Sequence, residues 1–298
     1  MANRDTFSGY HPIVNFAYFA LVIAFSMVFM HPYCLASSLV CAFSYSAYLN
    51  GGKALRFSLL YMLPMLIFAA LINPAFNHEG ATILTYLPSG NPLTLESIAY
   101  GAASAALLVT VIMWFSCFNA IITSDKFIYL FGRVIPALSL ILSMSLRFVP
   151  RFKAQLRVIS NAQRCVGRDV SSGGILKRAK RGIKILSIMV TWALENAIET
   201  ADSMKSRGYG LPGRTAFSIY RFDKRDARAL TFILACGAAV VAGGAVGAYY
   251  FRYFPTVKGA ELSPARLAML LVYFALGIAP VILNVKEDLK WKAIASRS

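Results

Sequence analysis

The chain has 298 residues, of which 58% are hydrophobic and 14% charged, and its mean hydropathy is +0.60. Soluble domains carry roughly 25% charged residues, so this composition argues against an ordinary soluble enzyme and for an integral membrane protein. The net charge of +17 is not read as a nucleic-acid signal, because 18 of the 30 Lys and Arg lie between Arg147 and Arg228, against six acids, next to apolar runs.

In chain order, "MANRDTFSGYHP" has no basic region leading to a small-residue cleavage site, so the first span is expected to be retained. Apolar runs predict helical spans over 13–30, 33–49, 57–76, 97–122, 229–251 and 266–285, since about 20 helical residues cross the hydrocarbon. The short basic loop "NGGKALR" belongs on the cytoplasmic side, and 73–92, which holds no Lys or Arg, suits the outer face. Continued to the end, this pattern gives six spans with both termini cytoplasmic. The expected fold class is an all-α integral membrane protein in three parts: N-terminal spans 1–125, a cytoplasmic domain of amphipathic helices 126–228, and C-terminal spans with a short tail 229–298. Gly101/Ala105, Ala102/Ala106 and the series Ala239, Gly243, Gly247 are expected to let helices approach closely, within the bundle or against another membrane protein.

The chemistry that the chain lacks narrows its function. No span carries an ionisable residue in its core, which argues against a self-sufficient ion-coupled carrier. There is no phosphate-binding loop, no metal-ligand spacing and no nucleophile elbow, so catalytic residues, metal and cofactors are all expected to be none. The scattered cysteines (Cys34, Cys41, Cys117, Cys165, Cys236) are read as buried thiols. His11, His31 and His78 are read as interfacial or solvated.

Within the cytoplasmic domain, two apolar runs, 134–146 and 183–199, are too short or too acidic to span and fit helices buried in protein or lying at the inner interface. A helix is expected to start near Arg147, with Pro150 in its first turn, an apolar stripe through Phe148, Phe152, Leu156, Ile159 and Val166, and a basic stripe through Lys153, Arg157, Arg164 and Arg168. A second is expected from about Ile183 to Arg207, with Leu186, Val190, Leu194, Ala197, Ala201 and Met204 on one face and Glu195, Glu199 and Asp202 on another. Gly208, Gly210 and Pro212 stop it, placing Arg207 in the last turn, where the helix dipole favours a cation.

From "RVIPALSLILSMSLRFVPRFKAQLRVISNAQ" through "ENAIETADSMKSRGYGLPGRTAF" the chain resembles the transmembrane T component of energy-coupling factor (ECF) transporters, the cobalt-transport Q-type family. That family has two cytoplasmic coupling helices, each with a short X-Arg-X motif. Ser206-Arg207-Gly208 matches the second motif, with Tyr209-Gly210 and "GRT" at 213–215 following. Cys165-Val166-Gly167 stands where the first is expected, so Val166 replaces the motif arginine; either Arg164 or Arg168 takes over its contact, or the contact is weak. The resemblance implies a non-catalytic subunit in a bacterial or archaeal cytoplasmic membrane. Its partners would be two ABC-type ATPases, a membrane S component that binds the vitamin or metal ion, and the lipid bilayer, with no nucleic acid. A membrane-embedded enzyme acting on lipids or diphosphates is the rival reading, and a channel or stand-alone carrier the third.

Overall fold

A computed structural model of the protein describes residues 5–86, 92–132, 135–169, 174–211, 220–259 and 263–295. It is all-α apart from two small hairpins. The helices are α1 (Pro12–Val28), α2 (Pro32–Asn50), α3 (Gly52–Phe57), α4 (Leu63–Phe76), α5 (Leu95–Ile121), α6 (Ser124–Gly132), α7 (Pro136–Cys165), α8 (Ile175–Ser206), α9 (Lys224–Ala245) and α10 (Pro264–Ala295). The chain divides into two compact units, Met1–Phe127 with Tyr220–Ser298, and Ile128–Ile219.

In the first unit five expected spans coincide with a helix or a continuous helical stretch, while that over 229–251 overruns α9, which ends at Ala245 and gives way to a turn and to β3 at Phe251. The third joins α3 to α4 through a π-helical turn, Ser58–Met62, after which Pro64 sits in the first turn of α4. Helices α5, α9 and α10 are long and apolar enough to cross a membrane, and α1 and α4 are shorter apolar helices. The first two helices start on the same local code. His11-Pro12 and His31-Pro32 each place a proline at the first helical position and a histidine at the cap, whose Nδ1 accepts from the backbone N–H two residues on at 3.3 Å. Both histidines are therefore buried helix caps, which corrects the expectation of interfacial or solvated side chains. At α9 the cap is a reciprocal box, in which Asp226 on the third helical residue accepts from the Asp223 N–H at 3.1 Å.

The core forms where α5 packs on α1, α2 and α4, and α10 packs on α2 and α9. Its centre is a group of fully buried rings: Phe7, Tyr18, Phe19, Tyr45 and Trp114. The polar atoms they carry are paired, as burial requires. Trp114 Nε1 donates to Ser38 Oγ at 2.9 Å, Ser38 shares a 2.7 Å hydrogen bond with Ser26, and the Tyr18 hydroxyl donates to the Gly277 carbonyl at 2.8 Å. Small residues let backbones approach: a Cβ on Gly101 would lie 2.6 Å from the Ala70 carbonyl oxygen, and one on Gly243 2.9 Å from Met269 Sδ. Gly101, Ala105 and Gly243 thus serve packing inside the bundle, whereas Ala102 and Ala239 are exposed and Gly247 lies in a turn. Cys34, Cys41 and Cys117 are buried as expected, Cys236 is half-buried, and Cys165 is exposed, a correction to the uniform burial predicted for the five.

The chain start is held to the chain end. Asp5 hydrogen-bonds Asn284 and the Ser8 N–H (2.9 Å) and accepts weakly from the Tyr45 hydroxyl (3.4 Å), while the Phe7 N–H donates to Asn284 Oδ1 at 3.2 Å. Lys126 adds its ammonium to the Ser8 and Ile121 carbonyls at 2.6 and 3.1 Å. Desolvation raises the Asp5 carboxyl above its ordinary value and lowers that of the Lys126 ammonium. On the opposite loops, hairpins β1–β2 (Ile83–Tyr86, Pro92–Thr94) and β3–β4 (Phe251–Arg252, Lys258–Gly259) occupy segments in which the sequence reading placed only loops. The first is pinned to α5 by Glu96, which accepts from the Thr82 N–H (3.2 Å) and hydroxyl (2.9 Å).

Candidate functional site

The second unit carries all the expected site residues, on two long helices. Helix α7 begins at Pro136, 11 residues before the expected start at Arg147, so residues 136–146 of the apolar run 134–146 belong to it and Pro150 lies in its interior. The proline at the first helical position is Pro136, where a missing N–H costs nothing; Pro150 forgoes one hydrogen bond that the long flanks outweigh. Helix α8 begins at Ile175, eight residues before the expected Ile183, extending the helix through a strongly basic stretch, Lys177 to Lys184.

The two helices pack through Phe152 of α7 and Trp192 of α8, whose rings meet edge to face at 5.5 Å, with the Arg151 guanidinium 5.7 Å from the Trp192 ring centre. Ile159 and Ile185 are the buried aliphatic side chains here. The packing face of α8 therefore carries Ile185 and Trp192, two turns apart. The expected apolar stripe is open: Leu186, Val190 and Leu194 are 50–63% exposed, Ala197 and Ala201 are exposed and Met204 is half-buried, with Ile198 exposed beside them. Glu195, Glu199 and Asp202 are exposed beside it.

Both helices end in the same structure. At α8, Arg207 is the C-cap and Gly208 follows at φ +75°. The Gly208 N–H donates to the Lys205 carbonyl at 2.9 Å, and the Tyr209 N–H to the Met204 carbonyl at 3.0 Å, the paired bonds of a Schellman motif. At α7, Val166 is the C-cap and Gly167 follows, also at φ +75°. There the Gly167 N–H reaches the Arg164 carbonyl at 3.0 Å and the Arg168 N–H the Gln163 carbonyl at 2.9 Å. Cys165, Val166 and Gly167 therefore correspond position by position with Ser206, Arg207 and Gly208. Arg207 is at the cap itself, one residue beyond the last helical residue, rather than within the last turn as predicted.

The matched ends differ in charge. Arg207 is exposed, and among the described residues nothing pairs with its guanidinium; Ser206 uses its hydroxyl locally, donating to the Ser203 carbonyl at 2.9 Å. At the α7 end the cap side chain is the apolar Val166, 68% exposed. Arg164, one turn position earlier, is engaged by Asp169 at 3.5 Å, and Asp169 also accepts, through its carbonyl, from Arg181 at 2.5 Å. Arg168, exposed and two residues past the cap, has no ion pair among the described residues, which makes it the freer of the two cations at this end. The expected "GRT" at 213–215 and Pro212 lie outside the described residues. Sequence reasoning found the α8 end through its glycines, whereas it ran the basic stripe of α7 on to Arg168, past the cap at Val166. It missed the length of α7, because Pro150 read as a start signal and Pro136 did not.

An all-helical membrane protein whose basic segment is built as two long amphipathic helices with matched glycine ends is the class that these features define. The profile of the CbiQ family, cobalt transport protein, matches residues 12–217, more than half of the chain. The chain belongs to that family. It is also similar to proteins named energy-coupling factor transporter transmembrane protein EcfT. It is 40% identical to that of Lactobacillus helveticus over 106 residues, 35% of this chain and 38% of the relative. The Lactococcus lactis subsp. cremoris protein is 37% identical over 98 residues, 33% of this chain and 37% of the relative. With that of Streptococcus thermophilus the likeness extends over 186 residues at 28% identity, 59% of this chain and 70% of the relative. The chain thus matches less than two-fifths of the length of the first two relatives.

Proposed function

We propose that the protein is the transmembrane coupling subunit of an ECF-type importer. In this reading two cytoplasmic ABC-type ATPases hydrolyse ATP, a separate membrane S component carries the vitamin or metal ion, and this chain, itself without catalysis, transmits ATPase closure between them. The carrying observation is the pair of geometrically matched helix ends at Val166-Gly167 and Arg207-Gly208, displayed at the tips of α7 and α8. A guanidinium at an exposed cap is a fork that a carboxylate-lined groove on an ATPase can take in bidentate fashion. Gly208, lacking a Cβ, keeps the approach clear. The open aliphatic stripe of α8 supplies a surface for the S component. Both termini are assigned to the cytoplasm of a bacterial or archaeal cell by the placement of basic loops.

The asymmetry refines the reading: Arg207 carries the charged contact at one ATPase, and at the other Val166 offers an apolar cap flanked by Arg168. Co-purification tests this. Arg207→Glu is expected to lose the ATPases from the complex, whereas Arg164→Glu, which only breaks a contact with Asp169, is expected to retain them. Failure of the wild-type chain to associate with two ABC ATPases would sink the proposal.

A further inference from the structure

The first unit contains a cavity of about 600 Å³ between α9 and α10, close to the N-terminal turn of the chain. It has two chemically distinct ends. Arg225 and Arg228, at the start of α9, and Lys286 and Lys290, near the end of α10, line one end, with Glu287 the single acid among them. Deeper along the same helices the walls are Phe232, Ala275, Ala279 and Ile282. The cations are exposed, as are Phe232 (49%) and Ile282 (55%), so the groove opens sideways along the helices rather than being sealed. Arg225 is fixed in place: its guanidinium stands 4.3 Å over the Tyr10 ring and donates to the Gly9 carbonyl at 3.1 Å.

Length and charge together point to the occupant. Ala275 and Lys290 are 15 residues apart on one helix, about 22 Å at 1.5 Å per residue. That is the reach of a headgroup plus one leaflet's share, about 15 Å, of the hydrocarbon core. Ala275 and Ala279, one turn apart, leave a channel for an acyl chain, and a cluster of four cations beside one acid favours a phosphodiester over a zwitterion. Lys290 is paired with Glu287 at 3.4 Å, which leaves Arg228 and Lys286 to meet an anion. We propose that this groove is a binding site for one anionic glycerophospholipid, its phosphate held by Arg228 and Lys286 and a chain laid against Ala275, Ala279 and Ile282. The placement in the inner leaflet follows from basic helix ends facing the cytoplasm; the site does not depend on the ATPase contact.

Native mass spectrometry of the full chain in detergent, equilibrated with equal phosphatidylglycerol and phosphatidylcholine, tests it. The wild type is expected to retain phosphatidylglycerol preferentially. Arg228→Gln/Lys286→Gln is expected to weaken that retention about 30-fold, about fivefold for each cation removed. Ala279→Phe is expected to reduce retention of either lipid by filling the channel, and Arg228→Lys/Lys286→Arg to restore the wild-type preference in a chain with unchanged charge. Lys177→Gln/Lys180→Gln on α8, an equal charge loss elsewhere, is expected to change nothing, as is Arg207→Glu. Equal retention of both lipids by the wild type, displacement of the lipid by equimolar inorganic phosphate, or an equal loss in the α8 pair would overturn the site and leave the groove to bulk lipid or to a partner helix.

Discussion

Because α7 and α8 end in the same backbone motif, one substitution can be made twice with nearly the same structural effect and different functional consequences. Gly167 and Gly208 both sit at φ +75°, where a side chain costs about 1–2 kcal/mol. At Gly167 an added Cβ meets nothing within 4 Å; at Gly208 it comes 3.1 Å from Leu211 Cδ1, the end of a flexible side chain that can turn away. Gly167→Ala and Gly208→Ala should therefore each loosen their helix end by about 1 kcal/mol, raising local opening about fivefold. Hydrogen exchange reads this at the amides that close each motif, Gly167 and Arg168 in one variant and Gly208 and Tyr209 in the other. Asparagine tolerates this conformation, so Gly208→Asn should recover a good part of the protection. Association with the ATPases supplies the second readout. Loss of the Arg207 presentation should weaken it, while the matched change beside Val166 should leave most of it in place. Unchanged exchange at Tyr209 in Gly208→Ala would refute the capping argument. Equal loss of ATPase association in the two alanine variants, with equal exchange, would refute the claim that the contacts are unequal.

Gly101→Val should destabilise the first unit by about 1–3 kcal/mol, because its Cβ would stand 2.6 Å from the Ala70 carbonyl and the two helices must part; thermal unfolding in detergent measures it. Asp5→Ala removes the acceptor for the Ser8 N–H and strands Asn284, at a cost of about 1–3 kcal/mol, whereas Asp5→Asn should cost less because the amide keeps an acceptor oxygen in place without a desolvated charge. A melting temperature indifferent to Asp5→Ala would show that the chain start contributes nothing to the core.

The spans were legible because length and apolar content are summed over some 20 residues and survive local irregularity. The site was legible for a different reason. Gly208 marks a left-handed cap that other residues resist, so the end of α8 could be placed to within a residue, whereas Gly167, which caps α7 in the same way, was not used as a stop. The starts of both helices could not be placed. Pro136 and Pro150 are equivalent as signals, and only the packing of Phe152 on Trp192 and the continuity of the helix through Pro150 distinguish them. The α8 stripe was found but its cover was left open between protein and the inner interface, since period alone does not say whether an apolar face is covered within the chain or by another molecule. His11 and His31 were misread because a histidine before proline carries no strong cap signal, although Nδ1 can accept as an oxygen does. The Asp5–Asn284 contact, 279 positions apart, has no local trace.

That last contact imposes an order on biogenesis. Asp5 and the Phe7 N–H are made long before Asn284 of α10, so they must wait for that helix before their partner exists. Until then a carboxylate, an amide and the Lys126 ammonium remain wet at the mouth of a partly inserted bundle. A chain shortened before Asn284 would lack the clasp and leave Asp5 and the Phe7 N–H without that partner.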